Sequence, residues 1–456
     1  MAVAGYLYEV ERASDLPRLI TAFRKSLTRM AGSPLRPVSS VSAVIDLASY
    51  KDAMSGNAGP LSKLEARLKV RKQTIDAERM LALSVAREAR DLPKRELKRV
   101  AKKGPAATGG PYDWHLLETR TVQAWKLFED TFGGIPWNGI RVGQIDTGYT
   151  EHEGLGFTGN TSAWVDTFDD YNYMAEHGGQ FTEAGSSFPF NESPEIAIDP
   201  LSGVNGGHGT KTNSVLSGYS DVADYRGAAP QVPVVPIRLS DIVWIEHLLA
   251  TDLPSAIMRL VDQVGVRLIT LSMGAPYHQW TPDSLSNAIN HAYERGVFVF
   301  CAAGNNIGGS SVVTPACLER TIAVAGTTRD RMPWTGSSRG PEVEISAPAE
   351  PIHRAERKRD GTDAYGVGDG TSYATPQVCA GAALWLAWHG DAIAANYAEP
   401  WQPIEAFRTL LAATAAPLAG DPNFWKGKWG AGLLDTEALL LAALPAASAL
   451  RKSAEA

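Results

Sequence analysis

The sequence predicts an α/β fold in which helices cover both faces of a mostly parallel central sheet. Short β-branched runs, such as "IRVGQID" and "VRLITLSM", alternate after residue 112 with helical segments such as "LPSAIMRLVDQVG". Apolar strands that alternate with helices are typical of parallel sheets buried on both faces. The preceding residues have another pattern, which predicts a small α+β or helical N-terminal region.

The N-terminal region begins with two apolar runs, "YLYEV" and "VSAVIDLAS", joined by the helical stretch "DLPRLITAFRKSL". These predict a strand–helix–strand unit over residues 1–50. Residues 61–103 are charged and helical in period, and Pro93 divides the predicted helix in two. The segment "KKGPAATGGP" has the composition of a linker. We therefore predict an N-terminal region at 1–103, a linker at 104–111, a main domain at 112–445 and a tail at 446–456.

Five apolar runs in the main domain predict its strands. "IRVGQID" ends on Asp146, "VRLITLSM" leads to Ser272 and Gly274, and "VFVFCAAG" leads to Asn305. "VPVVPIRL" and "TIAVAG" predict two further strands, and "PDSLSNAINHAYERG" predicts a helix. Reactive residues of parallel sheets usually lie at the carboxyl ends of the strands. We therefore expect these polar residues at one edge of the sheet.

Composition excludes several classes of protein. The chain has 456 residues, of which 44% are hydrophobic and 20% are charged, and this composition is typical of a globular protein. A formal net charge of −7 argues against a general affinity for nucleic acid. The basic run "KRELKRVAKK" lacks interleaved aromatic residues, so we interpret it as a solvated helix or linker rather than as a nucleic-acid site.

The N-terminal residues "MAVAGYLYEVERASDL" lack the uninterrupted apolar core of a signal peptide. We expect no segment as long as a membrane span elsewhere. These observations predict a cytoplasmic location without a membrane partner, and non-standard secretion stays open as an alternative.

Four short motifs carry residues that could do chemistry: "DTG" with Asp146, "GHGT" with His208, "AAGN" with Asn305 and "GTSYATP" with Ser372. Each alone has an ordinary explanation as a cap, a surface residue or a turn. Together they supply the groups that nucleophilic catalysis by a serine requires. A serine needs an imidazole to take its proton, and the imidazole needs a buried carboxylate. The oxyanion that follows needs hydrogen-bond donors already aimed at it.

In this order the motifs resemble those of the subtilisin-like serine proteases, the subtilases or peptidase family S8, over about Trp114 to Leu441. The resemblance implies Asp146 as orienting acid, His208 as general base and Ser372 as nucleophile. It implies Asn305 and the backbone N–H of Ser372 as oxyanion donors. It also implies that the substrate is bound by Ser272, Met273, Gly274, Ala302, Ala303, Gly304 and Val313.

The chain departs from the family pattern at several places. Tyr373 stands where many subtilases have methionine, and Lys211 and Gln377 stand where histidine is common. The acidic and aromatic segment 157–200 lengthens the interval between Asp146 and His208. It could be a substrate-facing flap, a calcium loop or a solvated insertion. No calcium-loop motif occurs there, so we predict no metal site and no required cofactor, and structural calcium stays open without a motif.

The leading hypothesis is therefore a serine endopeptidase acting on polypeptides. The alternative is a catalytically silent protein of the same fold that binds peptides. Because "SSVVTP" contains no acidic residue, we expect uncharged, largely apolar residues before the cleaved bond. Residues 1–103 are predicted to be a removable or inhibitory segment that acts on its own chain, with a permanent regulatory domain as the alternative.

Overall fold

The computed structural model describes residues 5–9, 36–37, 42–46, 63–66, 69, 71–75, 113–176, 194–201, 204–276, 281–305, 311–358 and 360–456. The chain divides into two compact units, Met1–Arg90 and Asp91–Ala456. The linker predicted at 104–111 and the first predicted helix lie outside the described residues. The proposed domain bounds therefore stay a prediction.

The first unit contains a four-stranded antiparallel sheet. Its strands are β1 Gly5–Glu9, β2 Arg36–Pro37, β3 Ser42–Asp46 and β4 Arg71–Ile75, in the order β2-β3-β1-β4. The prediction of a continuous helix from residue 61 is wrong at β4, which pairs with β1 so that Ile75 lies opposite Gly5. Here pairing to a free sheet edge outweighs the helical period, and Thr74 and Ile75 are β-branched.

The second unit contains the remaining described strands and helices. Its strands are β5 Val142–Asp146, β6 Phe157–Thr158, β7 Thr161–Ser162, β8 Tyr171–Asn172, β9 Tyr219–Ser220, β10 Tyr225–Arg226, β11 Val234–Arg238, β12 Leu268–Leu271, β13 Phe298–Ala302, β14 Ile322–Thr328, β15 Val343–Glu350, β16 Ile352–Arg357 and β17 Asp363–Gly368. Its α-helices are α1 Trp114–Glu118, α2 Thr121–Phe132, α3 Tyr173–Glu176, α4 His208–Ser217, α5 Asp252–Met258, α6 Asp283–Glu294, α7 Thr371–Asn396, α8 Gln402–Thr414, α9 Pro422–Trp425 and α10 Thr436–Leu441. A π-helix, Arg259–Val264, directly follows α5.

A seven-stranded parallel sheet forms the centre of this unit, in the order β15-β14-β13-β12-β5-β11-β8. All five strands predicted in the main domain belong to it. Every residue of β5, β11, β12 and β13 is buried, as expected for a parallel sheet covered on both faces. The predicted α/β fold is confirmed.

Helix α7 runs through the core beside this sheet. Residues 371–386 are all buried, and Leu384 and Trp385 are fully enclosed by the main hydrophobic cluster. Among the described residues it is the one helix long and apolar enough to cross a membrane by length and composition, which corrects the expectation that no segment has that length. Its burial inside the unit identifies it as a core helix.

Candidate active site

The predicted functional residues lie at the carboxyl ends of three neighbouring strands. Asp146 is the last residue of β5, and Ile145 beside it pairs with Leu271 at the end of β12. Ser272 directly follows β12, and Asn305 follows β13, which pairs with β12 on its other side. The structure thus brings together side chains that are far apart in the sequence.

Asp146 and His208 form a buried pair. His208 is the first residue of α4, and its Nδ1 lies 2.7 Å from Asp146 Oδ1. The backbone N–H of Thr147 donates to the same oxygen at 2.7 Å. Asp146 is 1% exposed and His208 is 6% exposed, so solvent hardly screens the interaction.

Two glycines allow this pair to form. A Cβ at Gly209, the residue after His208, would overlap the backbone oxygen of Gly148. Gly148 has a φ of +92°, a backbone conformation that is strained for residues other than glycine. A Cβ at this position would also overlap the backbone oxygen of Ala197. The helix that carries His208 therefore lies directly against the turn that follows Asp146.

Ser372 is the second residue of α7 and is 4% exposed. Its hydroxyl donates to the carbonyl of Ser272 at 3.4 Å, and the Ser272 hydroxyl donates to the carbonyl of Ser372 at 2.9 Å. In this arrangement the Ser372 hydroxyl faces Ser272 rather than the His208 ring. Catalytic hydrogen bonds are often long or poorly aligned before a substrate binds.

Asn305 is oriented by the first residue of α7. Its Oδ1 accepts hydrogen bonds from the backbone N–H and from the hydroxyl of Thr371, both at 2.9 Å. A backbone N–H can only donate, so the amide oxygen is the atom that faces Thr371. Asn305 Nδ2 consequently points away from Thr371. The backbone N–H groups at the start of α7 also have no partner within the helix.

Two polar residues beside Asp146 were not found by sequence reasoning. Thr212, one turn after His208 on α4, donates to Asp146 Oδ2 at 2.9 Å. Gln144, on β5, donates from Nε2 to Thr212 Oγ1 at 2.7 Å and to Gly209 O at 2.8 Å. The signal available in the sequence was a glutamine in the middle of an otherwise apolar strand.

A third residue that was missed, Asp199, supports the loop before His208. It accepts hydrogen bonds from the Thr147 hydroxyl at 2.6 Å and from the N–H groups of Gly207 and Leu201, each at 2.7 Å. Burial raises the pKa of Asp199, and these hydrogen bonds oppose the rise. Asp199 thus ties the turn after Asp146 to the turn before His208.

The predicted substrate-binding residues lie close together beyond the ends of β12 and β13. The Val313 N–H donates to Ala303 O at 3.0 Å, and Thr314 and Ala275 exchange two backbone hydrogen bonds. Val313 therefore stands between the segments 272–274 and 302–304. Met273, Ala302 and Ala303 are buried.

The backbone of Gly274 is already paired with another part of the chain. Its N–H donates to Val243 O at 3.0 Å, and its C=O accepts from Ile245 N–H at 3.3 Å. Trp244 forms a parallel bridge with Gly274 and is 6% exposed. The segment Val243–Ile245 thus lies along the extended chain that leaves Ser272.

The acidic segment 157–200 is described at 157–176 and 194–200. Within it Asp166 and Asp169 each lie 2.5 Å from the guanidinium of Arg141. These two carboxylates therefore balance the positive charge of Arg141. Across the described residues, no group of three or more His, Cys, Asp or Glu side chains is arranged to hold a metal ion.

The three departures from the family pattern take part in packing and hydrogen bonding. Tyr373 packs against Trp114 and Ile352, and its ring centroid lies 6.4 Å from that of His208. Gln377 Nε2 donates to Tyr373 O at 2.7 Å and to Pro348 O at 2.8 Å. Lys211 is buried, with Nζ 3.5 Å from Gly206 O.

Comparison with known proteins places this chain in a family. The model described as "Subtilase family" matches residues 138–432, which include Asp146, His208, Asn305 and Ser372. The extracellular protease of Xanthomonas campestris is 28% identical over 352 residues, which are 72% of this chain and 57% of that protein. Subtilisin DY of Bacillus licheniformis is 28% identical over 334 residues, covering 72% of this chain and 97% of the relative.

The minor extracellular protease Epr of Bacillus subtilis is 26% identical over 277 residues, 59% of this chain and 35% of that protein. The match covers 35% of the Bacillus subtilis protease and 57% of the Xanthomonas campestris protease, so it spans less than two thirds of either relative. The names of both relatives overturn the predicted cytoplasmic location. That prediction depended on the composition of the N-terminal residues, which does not decide where a protein acts.

Solved structures show the same fold. A protease from Pseudoalteromonas arctica superposes with a TM-score of 0.55 at 20% identity, covering 74% of this chain and 99% of that one. The prenylagaramide maturation protease PagA superposes with a TM-score of 0.51 at 21% identity, covering 70% of this chain and 96% of that one.

Proposed function

Because this chain belongs to the subtilase family, we propose that it is a serine endopeptidase that cleaves polypeptides through an acyl-enzyme on Ser372. The observation that carries the proposal is the buried Asp146–His208 pair, joined at 2.7 Å beside the N-terminus of the helix that holds Ser372. A buried carboxylate, an imidazole and a serine hydroxyl in one site are the groups that acyl transfer requires.

In the proposed reaction, His208 acts as the general base. Its Nδ1 faces the carboxylate of Asp146 and carries the proton, so its Nε2 is the basic nitrogen. Nε2 takes the proton of the Ser372 hydroxyl while Oγ bonds to the substrate carbonyl carbon. The same nitrogen then donates that proton to the leaving amine, and water releases the acyl group by the reverse sequence.

The developing oxyanion is stabilised by Asn305 and by the N–H of Ser372. Thr371 holds Asn305 Oδ1 with two hydrogen bonds, so the Nδ2 amide is fixed before substrate arrives. Donors that are already oriented need no reorganisation during the reaction, which is what makes them effective.

We propose that the side chain before the cleaved bond is bound next to Val313. The Val313 methyl groups lie so near Gly304 and Gly274 that a Cβ on either glycine would come within 2.6 Å and 2.7 Å of them. Because Val313 fills the space between the two glycines, we propose a preference for small, uncharged side chains.

The peptide-binding alternative without catalysis is not favoured, since all the groups that the reaction needs are present. We propose further that the protein acts outside the cytoplasm, that residues 1–103 restrain its activity, and that no cofactor takes part in the reaction. The extracellular relatives support the first of these statements.

A fluorophosphonate label tests the proposed function. Wild-type protein should gain the mass of one phosphonyl group on Ser372, and Ser372→Ala should stay unlabelled and lose nearly all casein hydrolysis, about a million-fold in turnover. Thermal melting of both proteins controls for folding. A variant that is as active as the wild type would end the proposal.

A further inference from the structure

The two oxygens of the Asp146 carboxylate have different partners. Oδ1 accepts hydrogen bonds from His208 Nδ1 and from Thr147 N–H, both at 2.7 Å. Oδ2 accepts from the Thr212 hydroxyl at 2.9 Å. His208 and Thr212 are separated by one turn of α4, so a single helix presents the general base to one oxygen and a hydroxyl donor to the other.

The direction of these hydrogen bonds follows from Gln144. A carbonyl can only accept, so the Gln144 atom that lies 2.8 Å from Gly209 O must be the amide nitrogen. Its second hydrogen then points to Thr212 Oγ1, at 2.7 Å. The single hydrogen of Thr212 could reach His208 O or Gly209 O at 3.2 Å, but Asp146 Oδ2 is nearer and charged.

Both polar residues occupy positions that packing alone would give to apolar side chains. Gln144 lies between Gly143 and Ile145 in the buried strand β5, and Gln144 and Thr212 are each 1% exposed. Burying an amide or a hydroxyl costs free energy unless its hydrogen bonds are used. Gln144 Nε2 donates to Gly209 O and to the Thr212 hydroxyl, which in turn donates to Asp146, whereas Gln144 Oε1 has no hydrogen-bond partner among the described residues.

We propose that Gln144 and Thr212 are positioning residues for the reaction, and that they act in series. Gln144 fixes the direction of the Thr212 hydroxyl, and Thr212 fixes the plane of the Asp146 carboxylate so that Oδ1 faces His208. The inference rests on the proposed function, because it assigns these residues a role in orienting the same catalytic base.

The test compares single and paired substitutions at these two positions. Thr212→Val keeps the shape of the side chain and removes its hydroxyl, whereas Thr212→Ser keeps the hydroxyl. Gln144→Met keeps the length of the side chain and removes its amide. Thr436→Val is the matched control, because Thr436 is also 1% exposed and its hydroxyl contacts Thr121.

Turnover is measured per active site, with active sites counted by fluorophosphonate incorporation in intact mass spectra. We expect Thr212→Val to lower kcat about tenfold, which is about 1.4 kcal/mol, with KM unchanged. Thr212→Ser should restore kcat, and Gln144→Met should lower it less. The double variant should be no slower than Thr212→Val, because residues that act in series are not additive.

Three results would overturn the proposal: an unchanged kcat in Thr212→Val, a Thr212→Ser variant as slow as Thr212→Val, or additive effects in the double variant. Loss of stability alone would lower the number of active sites without changing turnover per site. If Thr212→Val does not fold, Gln144→Met with wild-type kcat overturns the proposal. A wild type that takes no label at Ser372 refutes the proposed function itself, whereas a labelled wild type with unaffected variants refutes only the positioning role.

Discussion

Replacing Val313 should widen the range of side chains accepted before the cleaved bond. A Cβ on Gly304 would lie 2.6 Å from Val313 Cγ1, and a Cβ on Gly274 would lie 2.7 Å from Val313 Cγ2. Separations below 3 Å are clashes, so the space between the two glycines is already filled. We therefore expect a methyl side chain of the substrate to fit beside Val313 and a benzyl side chain to clash with it.

The size of the effect follows from the carbons that are removed. Val313→Gly deletes three side-chain carbons, and each buried methylene contributes about 0.8 kcal/mol. Room for about three more buried carbons should therefore favour a phenylalanine substrate by about 2 kcal/mol, or about thirtyfold in kcat/KM. An alanine substrate should change little, because its methyl group does not reach the new space.

The assay is kcat/KM for a series of peptides that differ only before the cleaved bond, with alanine, leucine, phenylalanine and lysine. Val312→Ala is the matched control, because Val312 is the neighbouring valine and is 2% exposed. The reasoning is refuted if the wild type cleaves after phenylalanine as fast as after alanine. It is also refuted if Val313→Gly leaves the ratio of the two unchanged.

Three further predictions concern catalysis, pH and processing. Asn305→Ala should lower kcat by about 10²–10³ with little change in KM, because one oxyanion donor is lost; a larger effect on KM would contradict this. Burial and the neighbouring Arg354 lower the pKa of His353 from 6.5 to about 4. As the pH falls, His353 therefore takes up its proton in the unfolded chain before it does so in the folded protein. The free energy of unfolding should consequently fall by about 2–3 kcal/mol as the pH is lowered from 6.5 to 4. Urea denaturation should show less of this fall in His353→Phe, and equal slopes would refute the assignment. On storage the wild type should lose about a hundred N-terminal residues and begin between Lys102 and Trp114, with Ser372→Ala intact. Intact masses decide this, and a full-length, fully active wild type would contradict it.

The sequence predicted five of the seven strands of the central sheet, because each of the five is a short apolar run bounded by polar or turn residues, and it missed β8 and β15. It failed at β4, where residues 71–75 have a charged, helix-like pattern and form a strand by pairing with β1. Such pairing depends on a partner more than sixty residues away in the chain. Local periodicity carries no information about that partner.

The same distinction separates the site residues that were found from those that were missed. Asp146, His208 and Ser372 lie in motifs whose neighbouring glycines can be recognised in the sequence. Gln144 and Asp199 act through contacts that are 68 and 52 residues apart, from Gln144 to Thr212 and from Asp199 to Thr147. Their roles follow from how helix α4 packs on the ends of β5, which no single motif encodes.

The proposed catalytic residues and the proposed substrate-binding residue Gly274 differ in what their hydrogen bonds do. Asp146, His208 and Asn305 are all held in place by hydrogen bonds within the chain. Gly274 is held as well, but by Val243 and Ile245, through the backbone groups that an added peptide strand would use. A substrate that binds by strand addition at this edge must therefore compete with Val243–Ile245 for Gly274. Asp146, His208 and Asn305 are thus oriented before a peptide arrives, whereas the Ser372 hydroxyl faces Ser272 and the backbone of Gly274 is already paired.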